Sequence, residues 1–125
     1  MTTNFVLLAS ALADETRWRI VRLVMNDALC VCELAEIFKM PQSSVSSHVQ
    51  VIRKAGLLVD EKCEKWTYFR IAPTHWKMIG SLVDYFQDEK RGQFSRDLTR
   101  TKARLARREN SCCPGPRILA QTSKR

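Results

Sequence analysis

The sequence has no apolar run that could cross a membrane. Its longest uninterrupted apolar run is about five residues, whereas a membrane-spanning helix needs about 18 or more. Glycine and proline are scarce, with four of each, which excludes collagen-like and low-complexity chains. The first residues, MTTNFVLLASALADETR, carry no basic residue before their short apolar stretch, so we expect no secretion signal. These absences predict a folded cytoplasmic protein with no membrane partner.

The motifs of common catalytic sites are also absent from the sequence. It contains no glycine-rich phosphate loop, no HExxH motif and no evident pair of catalytic carboxylates. A chain of 125 residues also leaves little room for a catalytic pocket. We therefore expect a protein that is not an enzyme and that needs no organic cofactor.

Positive charge is concentrated towards the C-terminus. The net charge is +8, and residues 90–125 hold eleven Lys and Arg against two acidic residues, whereas residues 1–89 hold ten basic and eleven acidic residues. A nearly neutral body with a basic tail favours a polyanionic partner such as nucleic acid. We predict a first domain over residues 1–91 and a basic C-terminal helix or tail over residues 92–125.

Apolar periodicity predicts several helices before a pair of strands. Residues 4–13 have helical spacing, and a second helix follows Asp14, whose side chain can cap it. CVCELAEIFK, residues 30–39, predicts a short third helix. Residues 42–55 predict a fourth, which Gly56 ends.

The fourth helix has an unusual polar face. Val45, Val49 and Ile52 form its apolar edge, and the opposite face consists of short hydrogen-bonding and basic side chains. Four serines in one helix cost about 0.5 kcal/mol each relative to alanine. This composition indicates a surface selected for binding rather than for helix stability.

A hairpin and further helical patterns follow. Residues 57–60 and 66–71 predict two strands joined by the polar tip EKCEK. Residues 74–91 predict a helix with two apolar stripes, one of which needs a partner such as a second copy of the chain. Phe94, Leu98 and Leu105 give a weaker stripe in the basic region.

This order of elements predicts a mainly α fold with a β-hairpin, the winged helix-turn-helix. In such folds the second helix of the helix-turn-helix lies in the major groove, and the hairpin lies along the phosphates. We expect DNA contacts from the polar face of the fourth helix and from the wing. The residues are Gln42, Ser43, Ser44, Ser46, Ser47, His48, Gln50, Arg53, Lys62 and Lys65.

Four segments together resemble the ArsR/SmtB family of metal- and metalloid-responsive repressors. They are ALADETRWRIVRLV, LCVCELAEIF, SSVSSHVQVIRKAGLL and KWTYFRI, and the match runs from about Phe5 to Pro73. The resemblance is greatest to the arsenic-responsive branch. It implies a homodimer that binds double-stranded operator DNA and dissociates when a metalloid binds.

The chain departs from the pattern of that branch in three places. Ala35 stands where the best-known arsenic-sensing pattern has a third cysteine. The wing tip lacks the usual glycine, and Ser47 occupies a position that is often basic in relatives. Base preferences are therefore not transferable from the family to this chain.

Cys30 and Cys32 are the first candidate ligands. At a helix start, unpaired N–H groups and the helix dipole favour thiolates, which select soft ions. Residues i and i+2 of a regular helix point about 200° apart, so joint binding would distort the first turn and displace the fourth helix. With the resemblance, the expected inducer is As(III) or Sb(III).

As(III) prefers three thiolates, so a third ligand must come from elsewhere. Cys112 and Cys113 in the SCCPGP segment are the favoured source, and Cys63 on the wing, a solvent molecule or a small thiol are alternatives. A Cd-, Pb- or Zn-responsive repressor also stays open. So does a redox-sensing repressor in which Cys112–Cys113 or Cys30–Cys32 oxidise.

The two histidines are not expected to bind metal. His48 fits a DNA contact or a packing role, and His75 fits the cap region of the last predicted helix. Asp84 and Asp88 lack a second histidine, so we expect no zinc site of the kind that zinc-sensing relatives have on that helix.

Overall fold

The computed structural model describes residues 4–86, 92–108, 111 and 113–119. Its regular elements, numbered here in chain order, are six helices and three strands in that part of the chain. They are α1 (Phe5–Leu12), α2 (Glu15–Val24), β1 (Leu29–Cys30), α3 (Val31–Phe38), α4 (Gln42–Lys54), β2 (Leu58–Cys63), β3 (Trp66–Ile71), α5 (Trp76–Tyr85) and α6 (Gln93–Ala106). The predicted winged helix-turn-helix is confirmed.

Local capping explains where the first two helices begin. The side chain of Asn4 accepts hydrogen bonds from the first turn of α1, and Asp14 accepts one from the Arg17 amide at 3.0 Å. These bonds satisfy amide groups that have no partner inside the helix. The predicted helices over residues 4–13 and after Asp14 are therefore confirmed.

α3 and α4 form the helix-turn-helix. The chain leaves α3 through Lys39, which has a left-handed backbone with a φ of 57°, and Pro41 precedes α4. The predicted apolar edge of α4 is buried, with Val45, Val49 and Ile52 at most 1% exposed. The polar face of α4 therefore points away from the core.

The hairpin is part of a three-stranded antiparallel sheet with the order β1-β3-β2. The prediction of a five-residue tip is wrong, because β2 continues to Cys63, which pairs with Trp66. Glu64 adopts a left-handed backbone with a φ of 60°. Positive φ allows a tight two-residue turn, and this turn at residues 64–65 shortens the tip.

The long helix predicted over residues 74–91 is shorter in the structure. A 3-10 turn at Pro73–His75 precedes α5, which ends at Tyr85, and residues 87–91 lie outside the described part of the chain. Ile79 is buried, whereas Tyr85 and Phe86 are 80% and 56% exposed. The α5 end therefore carries an apolar surface.

α6 is a folded helix that packs against α2 and α3. Gly92 precedes it with a left-handed backbone, and Phe94 and Leu105 pack against the main core. The helix predicted in the basic region is therefore confirmed, but its apolar stripe only in part, because Leu98 does not pack against the core and the buried residues of α6 are Asp97, Thr101 and Arg104. The division into domains at residues 91 and 92 stays a prediction.

Several arginines of this basic region form ion pairs within the chain. These pairs are Arg104–Glu36 at 2.8 Å, Arg107–Glu36 at 3.2 Å and Arg108–Glu33 at 2.7 Å. In addition, Asp97 of α6 pairs with Arg19 of α2 at 2.9 Å. Part of the positive charge that the sequence concentrates here thus fastens α6 to the helix-turn-helix. Among the described residues, no helix combines the length and apolar character needed to span a membrane.

Candidate thiol site and DNA-binding surface

Cys30 lies in the sheet rather than in a helix. It is the last residue of β1 and the N-cap of α3, with an extended backbone (φ −101°, ψ 170°). It pairs with Tyr68 of β3, and its amide donates to Glu33 Oε1 at 3.3 Å. The short helix predicted over residues 30–39 is therefore present as α3, but it begins one residue later, at Val31, and Cys30 is its N-cap. The expected 200° angle between the two sulfurs does not apply, because only Cys32 is helical.

Cys30 is in contact with a thiol from the end of the chain. The Sγ atoms of Cys30 and Cys113 are 3.6 Å apart, and the two residues are 2% and 0% exposed. Thiolates that share one ion at about 2.3 Å lie roughly 3.5–3.8 Å from each other. The pair thus already has a spacing that suits a common soft ligand.

Cys32 lies near this pair, but its sulfur is hydrogen-bonded to a residue outside it. It is half-buried and packs against the cluster that contains Cys30, Cys63 and Cys113. Its Sγ accepts a hydrogen bond from Gln42 Nε2 at 3.5 Å. Within the described ranges, no three His, Cys, Asp or Glu side chains already have a geometry that could hold a metal ion. Joint binding by three thiols therefore requires Cys32 to move.

The remaining cysteines are Cys63, which the structure describes, and Cys112, which it does not. Cys63 is 7% exposed at the end of β2 and belongs to the same cluster, so it keeps its place as an alternative ligand. Cys112 lies outside the described residues. Of the predicted vicinal pair, Cys113 is the residue that the structure brings to Cys30.

The pKa of Cys30 is raised to about 11, chiefly because burial penalises the charged thiolate. The nearby carboxylate of Glu33 raises it further, and hydrogen bonds from the backbone and Cys113 oppose the rise only in part. The expectation of a lowered pKa at a helix start is therefore wrong for Cys30. At this position, desolvation raises the pKa by more than the helix N-terminus lowers it.

Residues 113–119, which we name the C-terminal strap, hold Cys113 against the sheet. The Gly115 amide donates to Tyr68 Oη at 2.7 Å, and Glu61 accepts hydrogen bonds at 2.8–2.9 Å from three successive amides, those of residues 117–119. Arg70 donates to the Leu119 carbonyl at 3.3 Å. The strap is therefore fastened to both strands of the wing.

A buried ion pair fastens the chain just before the strap. Arg108 donates to both carboxylate oxygens of Glu33, at 2.7 and 2.8 Å, and to the Ala28 carbonyl at 2.7 Å. Glu33 is completely buried. The same carboxylate caps α3 at Cys30, so one side chain links the thiol segment to the C-terminal region.

A cleft of about 390 Å³ opens beside the thiols. Cys30 and Cys32 line it together with Gln42, the first residue of α4, and Lys65 at the wing tip. The thiols thus share one cavity with two of the predicted DNA contacts.

The predicted DNA-binding residues lie on one helix face and on the wing. Gln42, Ser43, Ser47, Gln50, Arg53, Lys62 and Lys65 are exposed, and Ser44, Ser46 and His48 are partly buried. His48 Nδ1 is 3.2 Å from Arg17 of α2 and 3.9 Å from Asp14, which supports its packing role. Arg53 forms an ion pair with Asp60 of β2 at 2.8 Å, which links α4 to the wing formed by β2 and β3.

Comparisons with known proteins identify the family. The model of bacterial regulatory proteins of the arsR family matches residues 14–59, which include the helix-turn-helix. The arsenic resistance transcriptional regulator ArsR1 of Pseudomonas putida is 30% identical over 95 residues, covering 75% of this chain and 74% of that protein. This chain belongs to the ArsR family. The predicted resemblance is therefore confirmed.

Further proteins are also similar to this chain. The arsenical resistance operon repressor of Escherichia coli is 41% identical over 80 residues, covering 63% of this chain and 68% of that protein. A homodimeric winged helix-turn-helix domain from Mycobacterium bovis, Mb0332, is 25% identical with a TM-score of 0.60, covering 68% and 79% of the two chains. The antimony-specific transcriptional repressor AntR is 25% identical with a TM-score of 0.55, covering 66% and 77%. These relatives are regulators of transcription by name, in agreement with the expectation of a protein that is not an enzyme.

Sequence reasoning missed the residues that position the thiols in this ArsR-family chain. A glutamate three residues after an N-cap is a capping-box signal, and it could have identified Glu33. No local pattern could have identified Arg108, Tyr68 or Glu61. Their partners lie 47 to 80 residues away in the sequence.

Proposed function

We propose that this ArsR-family chain is a homodimeric repressor that leaves its operator DNA when As(III) or Sb(III) binds Cys30, Cys32 and Cys113. The observation that carries the proposal is the 3.6 Å contact between the Cys30 and Cys113 sulfurs. Arsenical and antimony repressors among its relatives support the choice of inducer. A regulator of DNA works where the chromosome is, so a cytoplasmic location is part of the proposal.

The state of the thiols favours a metalloid over a divalent cation. Arsenous acid, As(OH)₃, condenses with three thiols to form three As–S bonds, and the thiol protons leave in three water molecules. A divalent cation such as Cd²⁺ must instead displace those protons into solvent. The condensation with arsenous acid therefore carries its own proton acceptors, whereas the binding of a cation needs an external one. The Cd-, Pb- or Zn-responsive alternative is therefore the weaker one.

The link from the thiols to DNA runs through Cys32 and Gln42. When the Cys32 sulfur moves towards Cys30 and Cys113, it leaves Gln42 Nε2, with which it forms a 3.5 Å hydrogen bond in the structure. Gln42 begins α4, so the loss of this contact changes the support of the DNA-reading helix. A ligand that biases one of two arrangements in this way is what allosteric release requires.

Exposed apolar residues support the homodimer. Phe5, Val6 and Leu7 of α1 are 77%, 71% and 50% exposed, and Tyr85 and Phe86 add apolar surface at the end of α5. Apolar surface of this kind is covered when two copies associate. The neighbour Mb0332 is itself described as homodimeric.

Operator release after single cysteine-to-serine changes tests this proposal. We expect Cys30→Ser, Cys32→Ser and Cys113→Ser each to raise the arsenite concentration for half-release by at least about tenfold, while operator affinity stays within about threefold. Cys63→Ser changes another buried thiol of the same cluster and should respond as the unchanged protein does; a lost response there would instead assign the third ligand to Cys63. A normal arsenite response of the Cys30→Ser/Cys32→Ser double variant would reject the proposal.

A redox-sensing repressor is the second candidate, because the Cys30–Cys113 contact would also allow a disulfide to form. The two functions differ in a buffer that contains a reductant without thiols. There, arsenite should still release the operator, whereas a redox switch would need peroxide and would be held off by the reductant. Release by peroxide alone would favour the second candidate.

A further inference from the structure

The sheet has a second buried face, opposite the main core. Tyr68 pairs with Cys30 on one side and with Glu61 on the other, and residues paired directly across antiparallel strands lie on the same face. Leu29 and Phe69, which are sequence neighbours of Cys30 and Tyr68, pack into the main core on the other face. The C-terminal strap covers the face of Cys30 and forms a smaller buried cluster with it.

The strap is held on this face through its backbone. The Glu61 carboxylate of β2 accepts hydrogen bonds from the amides of residues 117–119 at 2.8–2.9 Å. Tyr68 Oη of β3 accepts one from the Gly115 amide at 2.7 Å, and Arg70 of β3 donates to the Leu119 carbonyl at 3.3 Å. Both strands of the wing thus hold the strap, and the strap in turn restrains both strands.

The docked strap ties the wing to the helical body. Arg108 precedes the strap and is bonded to buried Glu33 of α3 and to the Ala28 carbonyl. Pro114 and Pro116 fix two φ angles near the start of the strap, which leaves it few torsions that could absorb movement. With the strap docked, the wing therefore cannot shift relative to α3 without breaking these contacts.

Metalloid binding would fix the strap in its docked position. The hydrogen bonds from residues 117 and 118 to Glu61 are exposed to solvent, and bonds of this kind open easily. In the proposed three-thiol site, As–S bonds join Cys113 of the strap to Cys30 and Cys32, and the thiol protons leave in water. A ligand site that is completed only by the docked strap raises the population of the docked arrangement when the ligand binds.

Linkage gives the direction of the effect on DNA. Arsenite favours the docked strap, and under the proposed function it weakens operator binding. When one equilibrium connects the two effects, the docked strap is the arrangement with the lower affinity for DNA. The restrained wing carries Lys62 and Lys65, the predicted phosphate contacts, and a wing tied to the body adjusts less well to the DNA backbone.

We propose that the C-terminal strap is an autoinhibitory clamp on the DNA-binding wing, which metalloid binding at Cys113 closes. Docked on Glu61, the strap holds the wing in an arrangement of low affinity for DNA, and it leaves Glu61 when the protein binds its operator. Glu61 is thus a positioning residue that acts through the strap. The inference rests on the proposed function and adds a route through the wing to the one through Gln42.

Amide hydrogen exchange in the full-length protein tests the clamp without any substitution. The amides of residues 117–119 report docking, because they donate to Glu61, and the buried Val21 of α2 is the reference for general stability. We expect arsenite to slow exchange at residues 117–119 by at least about tenfold, and operator DNA to speed it by at least about threefold. Exchange that operator DNA slows or leaves unchanged would overturn the clamp.

Glu61→Gln tests the clamp through DNA binding. The change removes the charge and one of the two acceptor oxygens that hold the strap, and Glu64→Gln is the matched control, because it removes the same charge from the exposed wing tip. Without arsenite, we expect Glu61→Gln to bind the operator at least about threefold more tightly than Glu64→Gln does, and arsenite to weaken its binding by a smaller factor. A merely structural role of Glu61 would instead weaken operator binding.

These outcomes separate the clamp from the proposed function. Equal operator affinities and equal arsenite effects in Glu61→Gln and Glu64→Gln would reject the clamp and leave the three-thiol site standing. An arsenite response in the Cys30→Ser/Cys32→Ser variant would reject the proposed function itself. Should Glu61→Gln not fold, Tyr68→Phe takes its place, because it removes another acceptor that holds the strap, and the same operator affinity as in the unchanged protein would reject the clamp.

Discussion

Arg108 and Glu33, 75 residues apart in the chain, form a two-pronged ion pair in the interior, with N–O distances of 2.7 and 2.8 Å. Glu33 also caps the helix that follows Cys30, and Arg108 precedes the strap that carries Cys113. The pair therefore joins the two segments that supply the proposed ligands. Its removal should affect both stability and the arsenite response.

Arg108→Met is expected to lower the free energy of unfolding substantially. The change leaves the Glu33 carboxylate buried, with Arg104 still 3.9 Å away, so we expect the lower end of the range for a broken buried pair, about 3 kcal/mol. Urea denaturation measures it. Arg107→Ala is the control, because that arginine and its partner Glu36 are 60% and 50% exposed, and it should cost less than about 1 kcal/mol. Equal losses in the two variants would contradict the role of the buried pair.

Gln42→Ala is expected to weaken the coupling between thiols and DNA. Operator affinity is measured with and without arsenite, and the ratio of the two affinities should fall towards one, because the contact with Cys32 is gone. Gln50→Ala on the same helix serves as the control, since Gln50 is exposed and is expected to change operator affinity without changing the ratio. An unchanged ratio for Gln42→Ala would show that the signal takes another route.

The attachment of the strap at Glu61 should depend on pH. Desolvation tends to raise the pKa of Glu61, but the amides of Leu119, Arg117 and Ile118 outweigh it and hold the pKa below its ordinary value. A lowered folded pKa means that the stabilisation is present above the unfolded pKa and is lost as the pH falls through the folded one, below about pH 4. Glu61→Gln should flatten this loss in urea titrations between pH 3 and 7, and Glu64→Gln at the exposed tip should not. The same slope in both variants would reject the attachment.

Val6→Asp is expected to convert the dimer into monomers. Val6 is 71% exposed on the apolar face of α1, and a charge there opposes burial against a second copy. Sedimentation equilibrium measures the dissociation constant, and operator affinity should fall with it. Ile118→Asp is the control, because Ile118 has a similar exposure of 68% but belongs to the strap rather than to α1. A dimer that tolerates Val6→Asp would place the interface elsewhere.

Replacement of the wing lysines should reduce the salt dependence of operator binding. If Lys62 and Lys65 each contact a phosphate, the slope of log affinity against log salt should flatten by about 0.9 for each Lys→Ala change. Lys77→Ala on α5 is the control and should leave the slope unchanged. A slope that persists in the Lys62→Ala/Lys65→Ala variant would remove the wing from the DNA interface.

Local patterns predicted much of the fold, and long-range contacts explain what they missed. The helices around Asp14 and Val45 follow from caps and periodicity within a few residues of each element. The local pattern assigns Cys30 to a helix, because its pairing in the sheet depends on Tyr68, which lies far along the chain. The contact with Cys113 spans 83 residues, and burial, which sequence does not display, decides the direction of the Cys30 pKa.

The residues proposed to read DNA and the strap cysteine Cys113 lie in separate parts of the chain, so proteolysis could separate them. Everything proposed to read the operator lies before residue 66, whereas the sulfur that faces Cys30 comes on the last described segment. A protease that trimmed the chain after Ser111 would leave the DNA-reading half whole and discard that sulfur. Under the proposed function, the clipped product would stay on its operator at arsenite concentrations that release the intact protein, and in mixed dimers it would keep repressing genes that the intact protein would release.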